Sequence, residues 1–174
     1  MLDRDLIAWL ESKSVRFCAI GAFAMAAHGW ARYSADIDLL TLETRVLDAD
    51  FWPAGRNPEI RTGDVDDPLA GLVRLSGVLP HDLIVGRGPV MRLAVDTASR
   101  VGAVGCSVAS PVALVLLKLE AGGAQDLYDI AAFVAALRML DGAPWLADVD
   151  TELDRLGAPA RLRWETMRRQ LAGD

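Results

Sequence analysis

The chain has 174 residues, enough for one core-forming domain or a compact domain with a helical appendage, and its 52% hydrophobic and 24% charged composition is globular rather than disordered. A net charge of −6 argues against non-specific binding of nucleic acid over the whole surface and leaves room only for a local basic patch. No apolar run reaches the roughly eighteen residues of a membrane span, and Met1-Leu-Asp-Arg-Asp5 lacks the basic and apolar regions of a secretory signal, so a cytoplasmic protein with no membrane partner is expected.

In chain order, residues 3–13 place Leu6, Ile7, Trp9 and Leu10 at near-helical spacing, with Asp3 and Asp5 suited to a helix start. Residues 15–20 alternate and stop at Gly21, which predicts a strand and a tight turn. Residues 22–28 read as a short buried helix ended by Gly29, and 36–42 as the next strand. A helix-like piece over 43–51 and a Pro/Gly-rich passage follow. Strands are expected at 59–62 and 71–75, separated by the acidic turn 64–68, and again at 78–85 before Gly86. Then come a helix over 90–98 and a strand over 103–108.

Ser110-Pro111 gives a helix its cap and first residue, and Gly122-Gly123 ends it. Helical patterns then cover 125–140, 144–156 and 159–171, broken by Gly142, Pro144, Gly157 and Pro159. The expected fold is α/β (α+β): a mixed β-sheet core over 1–108, and a helical C-terminal part over 109–174 packed on it as a single structural unit. Cys18 and Cys106 lie in apolar surroundings without nearby metal ligands and are expected to be buried free thiols.

The chemistry concentrates in Gly21-Ala22 and in Arg32-Tyr-Ser34-Ala-Asp36-Ile-Asp38. On a strand, Asp36 and Asp38 project from one face about 6.6–6.8 Å apart while Ile37 and Leu39 face the core. Paired carboxylates suit hard divalent cations, and two such metals about 3.5–4 Å apart would clamp the attacking and leaving oxygens of a phosphoryl displacement. Asp82, at the head of the apolar strand Pro80-His-Asp82-Leu-Ile-Val85, is the candidate third acid. A metal-free account has Asp36 capping its strand and Asp38 pairing with Arg32. Gly21 opens a helix whose free N–H groups suit a phosphate, although a plain strand-to-helix turn explains the glycine equally.

The order strand-Gly-small, helix, Arg-x-Ser-x-Asp-x-Asp resembles the nucleotidyltransferase superfamily that includes DNA polymerase beta. Leu117-Lys118-Leu-Glu-Ala-Gly-Gly-Ala-Gln-Asp126-Leu-Tyr-Asp129-Ile130 resembles its AbiEii-like branch of toxin and abortive-infection enzymes. The resemblance spans about residues 15–135. It implies Mg²⁺, or Mn²⁺ in its place, on Asp36, Asp38 and Asp82, with Asp82 as ligand or general base. It further implies an NTP donor held by Gly21, Ala22, Arg32, Ser34 and Lys118, and Asp126 orienting Lys118 or a substrate hydroxyl. Ala22 departs from the family's Gly or Ser and offers no hydroxyl, so contacts there would fall to backbone N–H groups. The helix from Gln125 also lacks an arginine often found before its first acid.

The implied reaction moves a nucleoside monophosphate to an acceptor hydroxyl on a tRNA, a protein or a small molecule. Two other readings are an inactive member of the fold that binds a nucleotide or a protein, and a toxin–antitoxin component whose antitoxin covers the site. Lys118 has a simpler explanation in a side chain that snorkels to water, and Asp126 and Asp129 in the dipole of a helix start. His28 and His81 make no zinc pattern, and His81 would support Asp82. Trp30 lies close to the expected site, with core packing as its ordinary role. Arg155, Arg161, Arg163, Arg168 and Arg169 form a solvated face or a landing strip for an RNA end. Neither a Gly-x-Ser-x-Gly elbow nor a phosphate-binding P-loop occurs, which excludes serine hydrolases and P-loop NTPases of those types.

Overall fold

The computed structural model describes residues 2–102 and 104–172. Asp3 opens α1 (Arg4–Ser12), its carboxylate accepting from the Asp5 and Leu6 N–H groups at 2.9 Å. β1 (Phe17–Ala19) leads into α2 (Gly21–Ala27), and a loop from His28 delivers Asp36 to β2 (Ile37–Thr41). The expected helix over 43–51 is two short 3₁₀ turns, Thr44–Leu47 and Ala49–Phe51. The hairpin pair β3 (Glu59–Thr62) and β4 (Leu69–Leu75) precedes β5 (His81–Gly86). β5 begins at His81 rather than Val78, because Pro80 interrupts the run and Val78 is fully exposed.

After α3 (Pro89–Asp96) come two short strands, β6 (Ser99–Arg100), at the sheet edge, and β7 (Ser107–Val108), inside it. β6 is absent from the sequence reading, since two exposed polar residues carry no pattern. The expected strand over 103–108 contracts to β7, and its first residue, Ala103, lies outside the described residues. The helical part comprises α4 (Pro111–Ala121), α5 (Ala124–Asp141), α6 (Leu146–Thr151) and α7 (Ala158–Ala172). The expected helix over 144–156 is α6 plus a 3₁₀ turn, Leu153–Arg155.

The seven strands form one mixed sheet in the order β3-β4-β5-β2-β1-β7-β6. β2 runs antiparallel to β1 and parallel to β5, while β4 is antiparallel to β5. The β2–β5 register places Asp38 beside Asp82, and the β4–β5 register places Arg74 on the other side of Asp82. Paired residues share a sheet face, so the ladder assembles these three charged side chains on one side. The opposite face carries the buried Ile37, Leu39, Val73, Leu75, Leu83 and Val85.

α4 is the keystone of the helical part and packs against α2, α3, α5, α6 and α7. Ser110 caps it through the Ala113 N–H at 3.3 Å, and Gly122 ends it in the left-handed conformation at φ +64°. Ala113, Leu114, Val115, Leu116 and Leu119 are buried all round, which explains a helix with almost no polar face. Among the described residues, no helix is long and apolar enough to cross a membrane.

Candidate active site

Two groups of charges meet beside the N-terminus of α2. The first is the carboxylate row Asp36, Asp38 and Asp82. Gly21 is pressed against it: its φ is +62°, and a Cβ added there would overlap Asp38 Oδ2. Glycine is therefore needed twice at this turn, for its backbone angle and for the approach of the carboxylate. The neighbouring Ala22 is buried, and Ser34 Oγ donates to Asp36 Oδ1 at 3.1 Å.

Burial pushes the Asp38 carboxyl up to about 6, reinforced by the Asp36 and Asp82 charges and opposed by Lys118 and Arg32. Burial also raises Asp82, with Arg74 opposing. Arg74 reaches across the row, its Nε 3.1 Å from Asp82 Oδ1 and its Nη2 3.4 Å from Asp36 Oδ2. The first contact is close enough for charge attraction but misaligned for hydrogen bonding, so the buried Asp82 Oδ1 has no hydrogen-bond donor.

The second group is an ion network between the helical part and the loop ahead of β2. Asp129 of α5 is fully buried, with 0% exposure. It accepts hydrogen bonds from Arg32 Nε at 3.0 Å and Nη2 at 2.8 Å and from Gln125 Nε2 at 2.7 Å, and Lys118 Nζ forms an ion pair with it at 2.7 Å. Burial alone would raise its pKa, but the Arg32, Lys118 and Gln125 hydrogen bonds outweigh it and hold the carboxyl below its usual value. Lys118 also donates to Asp126 Oδ1 at 2.9 Å, and Asp126 Oδ2 accepts the Gly123 N–H at 3.1 Å at the start of α5. Lys118 is thus a buried, doubly paired cation and does not snorkel.

One expectation is corrected by this geometry. Arg32 pairs with Asp129 and not with Asp38. Among the described residues, no group of three His, Cys, Asp or Glu side chains lies close enough to hold a metal ion by itself. The Arg74 guanidinium spans Asp36 and Asp82.

The C-terminal arginines are mostly engaged rather than free: Arg155 pairs with Glu152, Arg161 with Asp154, Arg168 with Asp150, and Arg163 donates to the Leu119 carbonyl. His28 contacts the Ala109 carbonyl at 2.8 Å. His81 is buried, with Nε2 accepting the Asp3 N–H at 3.1 Å, and burial lowers its pKa. Trp30 packs against the core.

Sequence reasoning left Arg74, Gln125 and Asp129 out of the site. Asp129 was visible within the Asp-x-x-Asp spacing of α5. Arg74 had only the alternation of β4 to mark it, between the buried Val73 and Leu75. An apolar groove of about 540 Å³ between Leu69, Met91, Leu117 and Arg163 contains none of Asp36, Asp38 and Asp82.

No protein-family model matches the sequence, and no curated protein is similar to it. Solved structures are. The crystal structure of ANT(2")-Ia in complex with adenylyl-2"-tobramycin aligns with a TM-score of 0.52 at 12% identity, over 84% of this chain and 94% of that one. The chain has a nucleotidyltransferase-like fold. An antigenic nucleotidyltransferase-like protein from Paracoccidioides brasiliensis aligns over 87% of this chain and 90% of its own at 16% identity, with a TM-score of 0.40, a likeness too slight to bear on the fold.

Proposed function

We propose that this nucleotidyltransferase-fold protein is an enzyme that moves a nucleoside monophosphate from an NTP to an acceptor hydroxyl, releasing pyrophosphate. The observation that carries this reading is the strand register that seats Asp38 between Gly21 and Asp82, with Asp36 linked to Asp82 through Arg74. The donor set is chemically suited to Mg²⁺ or Mn²⁺: hard carboxylate oxygens, one of them a buried oxygen without a hydrogen-bond donor. Mg²⁺ in nucleotide sites takes one or two carboxylates plus substrate phosphates in place of an all-protein cage, which Asp36 and Asp38 would supply. When bound, the ion would offset the charge that builds on the phosphates.

The chain's own residues divide the remaining work. Gly21 leaves the approach to Asp38 open, while the Gly21 and Ala22 N–H groups and Ser34 face the donor. Arg32 and Lys118 add positive charge beside it, and Asp126 and Asp129 position Lys118. Asp82, whose burial raises its proton affinity, accepts the acceptor hydroxyl's proton as oxygen attacks the α-phosphorus and pyrophosphate leaves.

The Lys118–Asp129 block favours the AbiEii-like branch, and with it a toxin–antitoxin or abortive-infection role with an antitoxin as partner. Buried free thiols at Cys18 and Cys106 suit the cytoplasm. The acceptor is a tRNA, a protein or a small molecule. The adenylylated tobramycin of the similar structure makes polyhydroxylated cations a first class to assay, and the net charge of −6 favours cations.

A second reading, an inactive fold member that binds a nucleotide or a protein, is favoured by Ala22 and by the arginine lodged among the acids. The test is incubation of the protein with labelled NTPs and Mg²⁺ in cell extract, with sizing of the product. Label should transfer with the native sequence and be lost in Asp36→Asn and Asp38→Asn. Binding without transfer selects the second reading, and transfer that persists in both variants removes the mechanism.

A further inference from the structure

Two arginines meet carboxylates near this site, and they are held in different ways. Arg32 grips Asp129 through two aligned hydrogen bonds at 3.0 and 2.8 Å, the fork geometry of a structural pair. Arg74 has no such grip. It lies 3.4 Å from Asp36 and is misaligned toward Asp82, and its side chain is 42% exposed. Its position is nevertheless set by the sheet: the β4 register puts it directly opposite Asp82, with Val73 and Leu75 anchored in the core on either side. The result is a guanidinium placed by the backbone over a row of three acids but free to swing toward solvent.

Without it, three carboxylates would face one another with Lys118 and Arg32 already committed to Asp129. We infer that Arg74 is a tethered counter-ion that fills the cation position between Asp36 and Asp82 until a divalent cation displaces it, and so weakens binding of free metal. This inference rests on the proposed nucleotidyltransferase site. It makes metal loading depend on the donor, because phosphate oxygens add the ligands that tip the exchange. The displaced guanidinium needs no new partner, since 42% of the side chain is already exposed to water.

The experiment is Mn²⁺ titration of the full chain by calorimetry, with and without a non-hydrolysable NTP analogue. Arg74→Gln removes the charge and keeps most of the length, and Arg74→Met serves if the first variant does not fold. In the absence of nucleotide, the neutral variant should bind Mn²⁺ roughly tenfold tighter than the native chain, in keeping with the loss of two partly exposed ion pairs. Arg74→Lys should stay within about threefold of the native value, because it retains the charge. Adding the analogue should narrow the gap. Mn²⁺ affinity that is measurable but unchanged or weaker in Arg74→Gln overturns the counter-ion role and leaves the proposed function standing. No Mn²⁺ binding to any variant, even with the analogue, overturns both.

Discussion

Asp129 is the residue whose loss should be most visible in stability. It is fully buried, takes two hydrogen bonds from Arg32 and one from Gln125, and forms an ion pair with Lys118. Cutting it to alanine strands Lys118, whose side chain is only 11% exposed, with Asp126 as its one remaining partner. Arg32 is 31% exposed and can be partly rehydrated. Breaking a buried pair costs about 3–5 kcal/mol, and the exposure of Arg32 lowers the expectation for Asp129→Ala to about 3 kcal/mol.

For a chain of this length that corresponds to roughly 6–12 °C in Tm. Asp129→Asn keeps the shape and loses the charge, so about 1–2 kcal/mol is expected. The sign with pH follows from the depressed carboxyl: its contribution is fully present above the unfolded value near 3.9 and is lost as pH falls through the lower folded value. Urea unfolding of the native chain and Asp129→Asn from pH 7 down to pH 3 measures this. The gap should be full at pH 7 and close only in acid. Equal stability at pH 7, or a gap that persists unchanged at pH 3, would refute the reasoning.

The other predictions concern the carboxylate row and the helical part. Asp38→Asn should stabilise the metal-free protein at pH 8 by an amount on the order of 2 kcal/mol. A carboxyl raised to about 6 favours the fold below its unfolded pKa and loses that contribution as pH rises through 6, so the advantage should vanish by pH 4. A less stable variant at pH 8 would contradict the burial argument. Gly21→Ala should cost at least about 2 kcal/mol by chemical denaturation, and Gly21→Ala with Asp38→Ala less than the sum, because the overlap with the carboxylate goes while the φ of +62° remains. Strict additivity would deny the contact. A chain ending at residue 108 is expected to lack cooperative melting by circular dichroism, since it forfeits the buried Leu114, Val115, Leu116 and Leu119 of α4. At about 2 kcal/mol each, these match the whole stability of a typical domain.

Local signals carried most of the fold into view. Ser110-Pro111 and Gly122 bracket α4, and Asp3 announces α1, because caps act within one turn of the residues that make them. Where a pattern was continuous but its backbone was interrupted, the reading overshot: Val78 belongs to the apolar run of β5 by composition and not by hydrogen bonding. The carboxylate row was legible only in part. The spacing of Asp36 and Asp38 gives a shared face, whereas the pairing of Asp38 with Asp82 is a long-range register that no local motif states. Asp129 was misjudged for a related reason. A carboxylate in the first turns of a helix has a ready explanation in the helix dipole, and only the arrival of Arg32 from a distant loop shows that it is a buried hub.

Arg32 and Arg74 bring the same chemistry to the same neighbourhood, yet the fold gives them opposite constraints. Arg32 stands on a loop outside any helix or strand, and its side chain is locked by two aligned bonds to a fully buried acid. Arg74 stands on a central strand, where the backbone is fixed by ladders on both sides, and its side chain is loosely held. The first arrangement uses the side chain to fix the loop that delivers Ser34 and Asp36. The second uses the backbone to keep a mobile charge within reach of Asp36 and Asp82. Under the proposed function, a site that holds three acids together before a substrate arrives, and accepts a cation afterwards, needs one of each. Exchanging the constraints, by freeing Arg32 or locking Arg74, should therefore impair the site by different routes: a displaced Asp36 in the first case, and a carboxylate row that cannot give up its counter-ion in the second.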